Sequence, residues 1–405
     1  MALKRNILLA VLLIVGAGCL FAQNNTSSPF SCYGLGDVND NVPNTFRAMG
    51  GVGIGMRNNK VICPAQPASY TACDSLTFMF DLAADVLYTH YGDDAGKKNK
   101  VNGNLEYISL QFPLYKRYVA LSAGVLPFSS VGYNITLSDS INSDYHYATN
   151  FYGNGGISEV YGGLSFNLFD WVSLGANVYY MFGDVTNTRS VIFAESDVKT
   201  VIQASALSVS SVRFREGLQF FHTFGKHSFV LGGIFENRRT LKSDYEVAES
   251  TQLDTVWVAE DIVQVPMMFG VGASYTFDKR LTVGFDFSRS YWSKVDAISG
   301  FDAMRDRNKY SFGLEYRHNP AGRNYAERMF WRVGCNLADS YVTKIKRPDY
   351  MVSLGMGFPL RNAGTIFNVT FEYGHRGPAA SLEENYLRMT INASIAENWF
   401  FKRRL

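Results

Sequence analysis

Several long segments of the chain alternate strictly between apolar residues and polar or small ones. The clearest cases are Trp171–Gly183, Arg280–Ser288, Lys309–Arg317 and Thr365–His375. Successive side chains of a β-strand point to opposite faces, so this pattern predicts strands with one apolar and one polar face. Soluble β-sandwiches alternate in the same way, and the class of β-protein therefore depends on how the strands are connected.

The connections between the alternating segments are short and long in turn. Short turns are predicted at Pro113–Lys116, Phe169–Asp170, Gly225–Lys226, Asp278–Lys279 and Arg361–Gly364, with a longer one at Asn319–Glu327. Long polar loops are predicted at Ser138–Gly155, Asp184–Ala204, Tyr245–Ile262 and Lys294–Arg307. Short turns at one end and long loops at the other are typical of outer-membrane β-barrels.

The alternation predicts fourteen strands, which makes the fold all-β: a 14-stranded antiparallel transmembrane β-barrel with an N-terminal hatch or plug. The strands are expected near residues 75–91, 100–112, 117–137, 156–168, 171–183, 206–224, 227–243, 264–277, 280–293, 308–318, 328–344, 349–360, 365–376 and 384–401. The segment 117–137 is interpreted as one strand bent around Pro127 and Gly132. An even count places both ends of the barrel on the short-turn, periplasmic side.

Each predicted strand has one face for lipid and one for the barrel interior. Residues expected to contact lipid include Leu281, Val283, Phe285, Phe287, Phe312 and Leu314. The acids Asp286, Glu315 and Glu372 are expected to face inward and, by default, to line the pore. Trp399, Phe400 and Phe401 end the last strand as a predicted aromatic girdle at the interface.

The first 22 residues have the layout of a secretory signal peptide. They begin with the basic pair Lys4 and Arg5, continue with an apolar stretch and end in small residues at Ala22. The apolar part is too short for a spanning helix of roughly 20 residues. Cys19 raises lipoprotein processing as an alternative, but Gly16 stands where a lipobox has an aliphatic residue. We expect cleavage after Ala22.

The amino-acid composition excludes some classes of binding partner and of membrane protein. Loss of Lys4 and Arg5 with the leader leaves 36 basic and 36 acidic residues, so net charge indicates no nucleic-acid partner. Aromatic residues reach 15%, and no second apolar run approaches the length of a spanning helix. A helical membrane protein is therefore excluded, and the lipid bilayer of the outer membrane is the expected surrounding.

Four cysteines remain after the predicted cleavage: Cys32, Cys63, Cys73 and Cys335. An exported protein meets an oxidising compartment, in which a disulfide can form. Cys63 and Cys73 would close a short loop, or Cys32 would fix the start of the chain, but sequence alone does not give the connectivity. Unpaired cysteines in a packed plug are an equally good interpretation.

Residues 23–74 do not alternate and hold the densest glycine cluster of the chain. A barrel of fourteen strands is too wide for its own side chains to fill, so it holds either water or a plug. Glycine lets a backbone pack closely against the inner wall. The chain is thus divided into a signal peptide (1–22), an N-terminal hatch or plug (23–74) and an outer-membrane barrel (75–405).

Two stretches before the first strand resemble the FadL-type transporters of hydrophobic compounds. They are the glycine-rich run from Arg47 to Gly55 and the run Gln66-Pro67-Ala68-Ser69. In that family a small-residue helix and an Asn-Pro-Ala motif belong to a hatch inside a fourteen-stranded barrel. This chain carries Gln66 where the family usually has Asn.

The resemblance implies a channel for passive uptake of small hydrophobic molecules, fatty-acid-like or aromatic. The ligand would be captured from outside, held beside the hatch and released through the wall or past the displaced hatch. The residues implied to form the gate are Arg47, Gly50, Gly51, Gly53, Gly55, Gln66, Pro67 and Ala68. The plain alternative is that the glycines only allow tight packing of a permanently closed plug. A monomer is expected.

Signatures of catalysis are absent: the chain has no Gly-x-Ser-x-Gly, His-Glu-x-x-His or P-loop motif. Asp37 and Asp40 resemble a fragment of a calcium loop without its glycine or terminal Glu, so neither metal nor cofactor is expected. A non-enzyme is therefore expected, although a barrel phospholipase would leave no linear motif. A PorV-like scaffold for secretion-system proteins is the main alternative, because such proteins share the FadL fold. A general porin is not expected, because a dedicated plug would block free diffusion through the pore.

Overall fold

The computed structural model describes residues 26–93, 96–141, 145–193, 200–250, 255–295, 304–345, 348–360, 364–379 and 382–398. The predicted signal peptide and the predicted girdle at Trp399–Phe401 lie outside these residues. Within these ranges no helix combines the length and apolar character needed to cross a membrane.

Nineteen strands run through the described residues, numbered here in chain order. The barrel strands are β2 (Thr77–Asp93), β3 (Gly96–Tyr115), β4 (Val119–Ile141), β5 (Tyr145–Phe169), β6 (Val172–Phe193), β7 (Val201–Phe224), β8 (His227–Glu236), β13 (Met268–Phe277), β14 (Leu281–Ser290), β15 (Arg307–Tyr316), β16 (Phe330–Ala338), β17 (Asp349–Pro359), β18 (Ile366–Ala379) and β19 (Leu382–Asn398). The others are β1 (Asp37–Val38), β9 (Arg239–Leu241), β10 (Ser243–Glu249), β11 (Thr255–Glu260) and β12 (Val263–Val265). Short helices lie at Pro29–Cys32, Asn44–Arg47, Pro67–Ala72, Trp292–Lys294 and Tyr325–Arg328.

The barrel closes on itself. Its last strand β19 pairs antiparallel with its first strand β2, from Glu383↔Gly92 to Asn398↔Thr77. β8 pairs directly with β13 although β9–β12 lie between them in sequence. The fourteen strands thus form one antiparallel ring, and the predicted all-β barrel with its strand count is confirmed.

The two faces of the wall differ as the alternation predicts. Phe285 and Phe312 point outward with 49% and 46% of their surface exposed. Acids on the inner face are buried, with Asp286 at 5% and Glu372 at 1% exposure. Glu315 also lies inside, where it accepts a hydrogen bond from Arg332. An apolar outer band with a polar inner face is the pattern of a barrel in lipid.

We expect Phe285→Arg to destabilise the barrel by about 2 to 4 kcal/mol, because it places a charge in hydrocarbon. Thr282→Arg is the matched variant on the same strand. It should cost much less, because Thr282 lies on the inner face and contacts Thr276 there. Urea titration of both variants in lipid bilayers measures the difference. Equal losses would mean that the faces are assigned wrongly.

Three of the predicted long loops are instead strand for most of their length. β4 continues to Ile141 and β5 begins at Tyr145, so most of the expected loop 138–155 is paired. β6 and β7 likewise extend through much of 184–204, and β10 and β11 form a hairpin within 245–262. A strand needs only about 9 to 11 residues to cross the membrane. Beyond it both faces meet water, so alternation ends although pairing continues.

The strand β4 is a single strand, as predicted for 117–137. Its register with β5 shifts between Pro127 and Ser129, which is a β-bulge. Proline cannot donate to the ladder and is tolerated in a strand at such a bulge. The bulge accommodates Pro127 without ending the strand, so the even strand count is preserved.

Residues 26–76 lie inside the barrel, and we call them the lumen segment. At its start, Ser28 donates a hydrogen bond to Glu384 near the long-loop end of β19. At its other end, Asp74 forms an ion pair with Arg117, which follows the short β3–β4 turn. The lumen segment therefore runs the length of the barrel, from the long-loop end to the short-turn end.

Cys63, Cys73 and Cys335 form no disulfide in the structure. Cys63 and Cys73 are buried in the lumen segment, Cys32 is partly buried, and Cys335 is exposed on β16. For Cys63 and Cys73, the structure agrees with the second interpretation of the sequence, unpaired side chains in a packed segment.

Candidate functional site

The site is the contact between the lumen segment and the inner wall. At Gly50 and Gly51 the backbone turns with φ of 74° and 80°, in the left-handed region that favours glycine. A Cβ at Gly50 would lie 2.4 Å from the carbonyl oxygens of Phe312 and Cys335. The Gly50 N–H donates to Ser353 Oγ at 3.0 Å. The lumen segment here touches the backbone of the wall.

Three successive amides of the lumen segment converge on one carboxylate of the wall. Gly53 and Ile54 donate to Asp286 Oδ2 at 2.6 and 2.7 Å, and Gly55 donates to Oδ1 at 3.0 Å. The carbonyl of Gly55 accepts from Ser274 Oγ at 2.7 Å. Charge-assisted hydrogen bonds of this kind are stronger than neutral ones. Asp286 therefore fixes this turn of the segment against β14.

The glycines of this run are not equally constrained. A Cβ at Gly55 would lie 2.4 Å from the backbone nitrogen of Ala273. At Gly53 it would meet only Cys63 Sγ at 3.4 Å and Val42 at 3.6 Å, which is ordinary contact. The close approach expected along the whole run is therefore needed at Gly50 and Gly55, whereas Gly53 has room for a methyl group.

We expect Gly55→Ala to disrupt packing of the lumen segment and Gly53→Ala to leave it nearly unchanged. Alanine at 55 collides with wall backbone that cannot move without distorting β13, and overpacking of this kind costs about 1 to 3 kcal/mol. Limited proteolysis of the segment in detergent-solubilised protein reports the difference. Equal cleavage rates in the two variants would contradict this assignment.

Gln66, Pro67 and Ala68 lie against the wall near the short-turn end. The Gln66 side-chain amide donates to the carbonyls of Ile54 and Gly233 at 3.1 and 3.2 Å, and its oxygen accepts from Ala68 N–H. The Ala68 carbonyl accepts from Ser173 Oγ at 2.8 Å. Gln66 thus joins two parts of the lumen segment to β8.

Glycines of the wall make room for this corner. A Cβ at Gly217 would lie 2.1 Å from Gln66 Oε1, and one at Gly175 would lie 2.5 Å from the backbone of Pro67. In the sequence these residues are only the small members of alternating strands. Their role becomes visible when the lumen segment is placed beside them.

Arg47 is the centre of a buried charge cluster. It forms ion pairs with Glu106 on β3 and Glu372 on β18, and its Nε donates to Glu372 Oε1 at 2.9 Å. Arg388 joins the cluster at 3.5 Å from Glu372 and 3.2 Å from Asp85. A buried ion pair contributes little net stability, but removing one partner leaves an uncompensated charge. Arg47 therefore holds the segment in one position.

The extracellular part of the lumen segment is held by further ion pairs. Asp37 contacts Arg376 at 2.7 Å, and Asp40 contacts both Arg307 and Lys309 at 2.8 Å. The two acids that resemble a calcium-loop fragment are thus partners of wall cations. In the described residues no group of three or more His, Cys, Asp or Glu side chains is arranged to hold a metal ion.

Tyr341, in the connection after β16, fastens the mouth of the barrel. Its hydroxyl donates to the Gly36 carbonyl at 2.6 Å, and its ring stacks on Trp292 with centroids 4.7 Å apart. Burial raises the pKa of Tyr341 above its ordinary value. Two extracellular connections are thereby joined to the lumen segment.

Apolar side chains fill the extracellular half of the lumen. They come from the lumen segment, the wall and the extracellular connections, and they include Phe30, Leu35, Phe128, Leu207, Leu241, Val263, Trp292 and Val342. Below this apolar cluster a cavity of about 90 Å³ lies beside the lumen segment. Apolar Val42, Ile54 and Met268 line it together with charged Arg215 and Glu236. A second cavity of about 200 Å³ has a more charged lining that includes Arg47 and Arg388.

Comparison with known proteins gives one family and a set of structures. A family model described as BamG matches residues 3–405. A search among curated proteins finds no match.

Three crystal structures have the same fold. The toluene transporter TbuX of Ralstonia pickettii aligns with a TM-score of 0.58 at 15% identity, covering 88% of this chain and 98% of its own. A FadL homologue of Pseudomonas aeruginosa aligns with a TM-score of 0.63 at 11% identity, with coverages of 89% and 99%. The toluene transporter TodX of P. putida aligns with a TM-score of 0.57 at 14% identity, with coverages of 88% and 98%. At these identities the likeness establishes the fold.

Proposed function

Since this chain belongs to the BamG family and is an outer-membrane β-barrel, we propose that it is a channel for small hydrophobic molecules, with the lumen segment as its hatch. Uptake would be passive, without catalysis or cofactor, and the protein would act as a monomer. The residues proposed to hold the hatch are Arg47, Gly50, Gly55 and Gln66, together with their wall partners.

The apolar cluster in the extracellular half of the lumen carries this proposal. The interior of a barrel that passes water and ions is polar. Here Phe30, Leu35 and their neighbours form an apolar column from the mouth down to the smaller cavity. Such a column is suited to a hydrophobic molecule and unsuited to a hydrated one. TbuX and TodX, which share the fold, are described as toluene transporters, and this supports a small aromatic as one ligand class.

Passage requires the hatch to move. Drug-sized ligand sites have volumes of about 300 to 1,000 Å³, whereas the cavity below the apolar cluster measures about 90 Å³. The hydrogen bonds from three backbone amides to Asp286 and the ion pairs of Arg47 hold the lumen segment in the closed position. We therefore infer a barrel that is closed at rest and opens by displacement of this segment.

A disulfide that ties the hatch to the wall tests this inference. Val38 and Ser129 are register partners between β1 and β4, and such antiparallel partners have Cα separations that a disulfide spans. In a protein whose native cysteines are replaced by Ser, oxidised V38C/S129C should lose uptake of a hydrophobic fluorescent probe into proteoliposomes. Reduction should restore it.

The matched control is T136C/N150C, which links the register partners Thr136 and Asn150 within the wall. Its oxidation should leave uptake unchanged. If V38C/S129C transports the probe equally well in both states, the hatch does not need to move near β4. If neither state transports any probe, the channel proposal fails.

A PorV-like scaffold is the second candidate, and one observation favours it. The lumen segment is held at three heights by Asp40, Arg47 and Asp286, through charged groups that are largely removed from water. So many buried contacts suit a permanent plug better than a gate. In that case the barrel would present surfaces to other outer-membrane proteins, and the probe would not enter in any redox state.

A further inference from the structure

The wall is incompletely paired between β3 and β4. Their pairing starts at the short turn with Tyr115↔Val119 and ends at Ile108↔Val125. Beyond that point β3 continues to Gly96 and β4 to Ile141. Two strand edges therefore diverge toward the extracellular side.

The lower part of the β4 edge is already occupied by an extended piece of the chain itself. β1 pairs antiparallel with it through Asp37↔Ser130 and Val38↔Ser129. One step higher, the Gly132 N–H donates to Ser31 Oγ at 3.0 Å. This edge of β4 thus accepts an added strand, and the lumen segment supplies only its first part.

The edge above Gly132 has no such cover. From Tyr133 to Ser140, β4 pairs with β5 on one side, and no other strand of the described chain pairs with its second side. This stretch contains neither Pro nor Lys, the residues that commonly protect exposed edges. About 9 to 11 residues of β4 suffice to cross the membrane, so this edge stands in water at the cell surface.

The facing edge of β3 is basic. Lys97, Lys98 and Lys100 are all exposed within five residues of its extracellular end. The one acid in the β4 stretch, Asp139, is engaged by the Ser140 N–H at 2.8 Å and by the Tyr147 hydroxyl at 3.3 Å. A strand placed between these two edges would therefore meet free backbone groups on one side and unpaired cations on the other.

We propose that the edge Tyr133–Ser140 docks an acidic, extended segment of another cell-surface protein. The segment adds as a strand beside β4, continuing upward from β1, and its carboxylates face the lysines of β3. Strand addition draws affinity from main-chain hydrogen bonds and specificity from side chains. This docking site is independent of whether the barrel conducts hydrophobic molecules.

An eight-residue peptide of alternating Glu and Val serves as the probe, added to the full-length protein in lipid nanodiscs. Binding should slow hydrogen exchange at Tyr133–Ser140. The same peptide, N-methylated at every residue, keeps its charge but has no N–H group left to donate to a ladder. We expect its affinity to be at least about tenfold weaker, because several main-chain hydrogen bonds are lost at roughly 0.5 to 1.5 kcal/mol each.

The variant K97E/K98E/K100E should also bind the unmethylated peptide at least about tenfold more weakly, because like charges then face each other. K116E/K226E/K279E, which changes three exposed lysines at the opposite end of the barrel, is the matched control and should bind normally. Equal binding of the methylated peptide would overturn strand addition. Two results would show that the occupant is not an acidic polypeptide. One is equally weakened peptide binding in the control variant. The other is protection of the same amides from exchange by anionic lipid vesicles and not by the peptide.

Discussion

Deletion of residues 44–70 should turn a closed barrel into a conducting one. The deletion removes the middle of the lumen segment, including Arg47, Gly50, Gly55 and Gln66 with all their wall contacts. A fourteen-stranded barrel without its plug encloses a water-filled space. In planar bilayers, ionic conductance should rise from near background by at least about tenfold, and small hydrophilic solutes should leak into proteoliposomes.

The control for this experiment removes mostly exposed residues that lie outside the lumen segment. Deleting 246–258 shortens the β10–β11 hairpin on the extracellular side. Conductance should then stay near background. A correctly folded barrel that lacks 44–70 and conducts no better than the full-length protein would mean that these residues do not close the lumen. If uptake of the hydrophobic probe were also unchanged, the scaffold function would be the better one.

Asp286→Ala should release the middle of the lumen segment. It leaves the amides of Gly53, Ile54 and Gly55 without their acceptor, and each unsatisfied buried group costs about 1 to 3 kcal/mol. A total loss of about 3 kcal/mol corresponds to roughly a hundredfold faster exchange of these amides, because each 1.4 kcal/mol is a factor of ten. Hydrogen exchange with mass spectrometry measures that change directly.

Thr282→Ala is the matched control, because Thr282 lies on the same face of β14 and loses only its contact with the hydroxyl of Thr276. Exchange at residues 53–55 should then remain at the level of the unmodified protein. Asp286→Asn keeps one acceptor oxygen and should fall between the two. If Asp286→Ala exchanges no faster than Thr282→Ala, another contact fixes this turn and Asp286 is only a lining residue.

Strand count and strand faces could be predicted because the membrane imposes them locally. Alternation within Arg280–Ser288 places Phe285 toward lipid and Asp286 inside without any knowledge of other strands. The same physics explains the error at 138–155. Where both faces of β4 and β5 meet water, nothing in the hydropathy distinguishes a paired strand from a loop.

The contacts of the lumen segment could not be predicted in this way. Asp286 lies 233 positions from Gly53, and Arg47 lies 325 positions from Glu372, so neither pairing leaves a local pattern. The glycine run did mark the segment that lies inside the barrel. It did not mark which glycine touches the wall, because that depends on the wall residue opposite each one.

The course of the lumen segment from the extracellular mouth to the periplasmic end has a consequence for biogenesis. If the ring closed first, the lumen segment would have to be threaded through it afterwards. Its beginning would have to reach Glu384 at the extracellular end, on the opposite side from the periplasm, where folding begins. It is simpler for the sheet to curl around a segment that is already in place, with β2 and β19 joining last. The order of assembly would then be dictated by topology, and a machine that inserts this protein would have to hold that final seam open until the interior is filled.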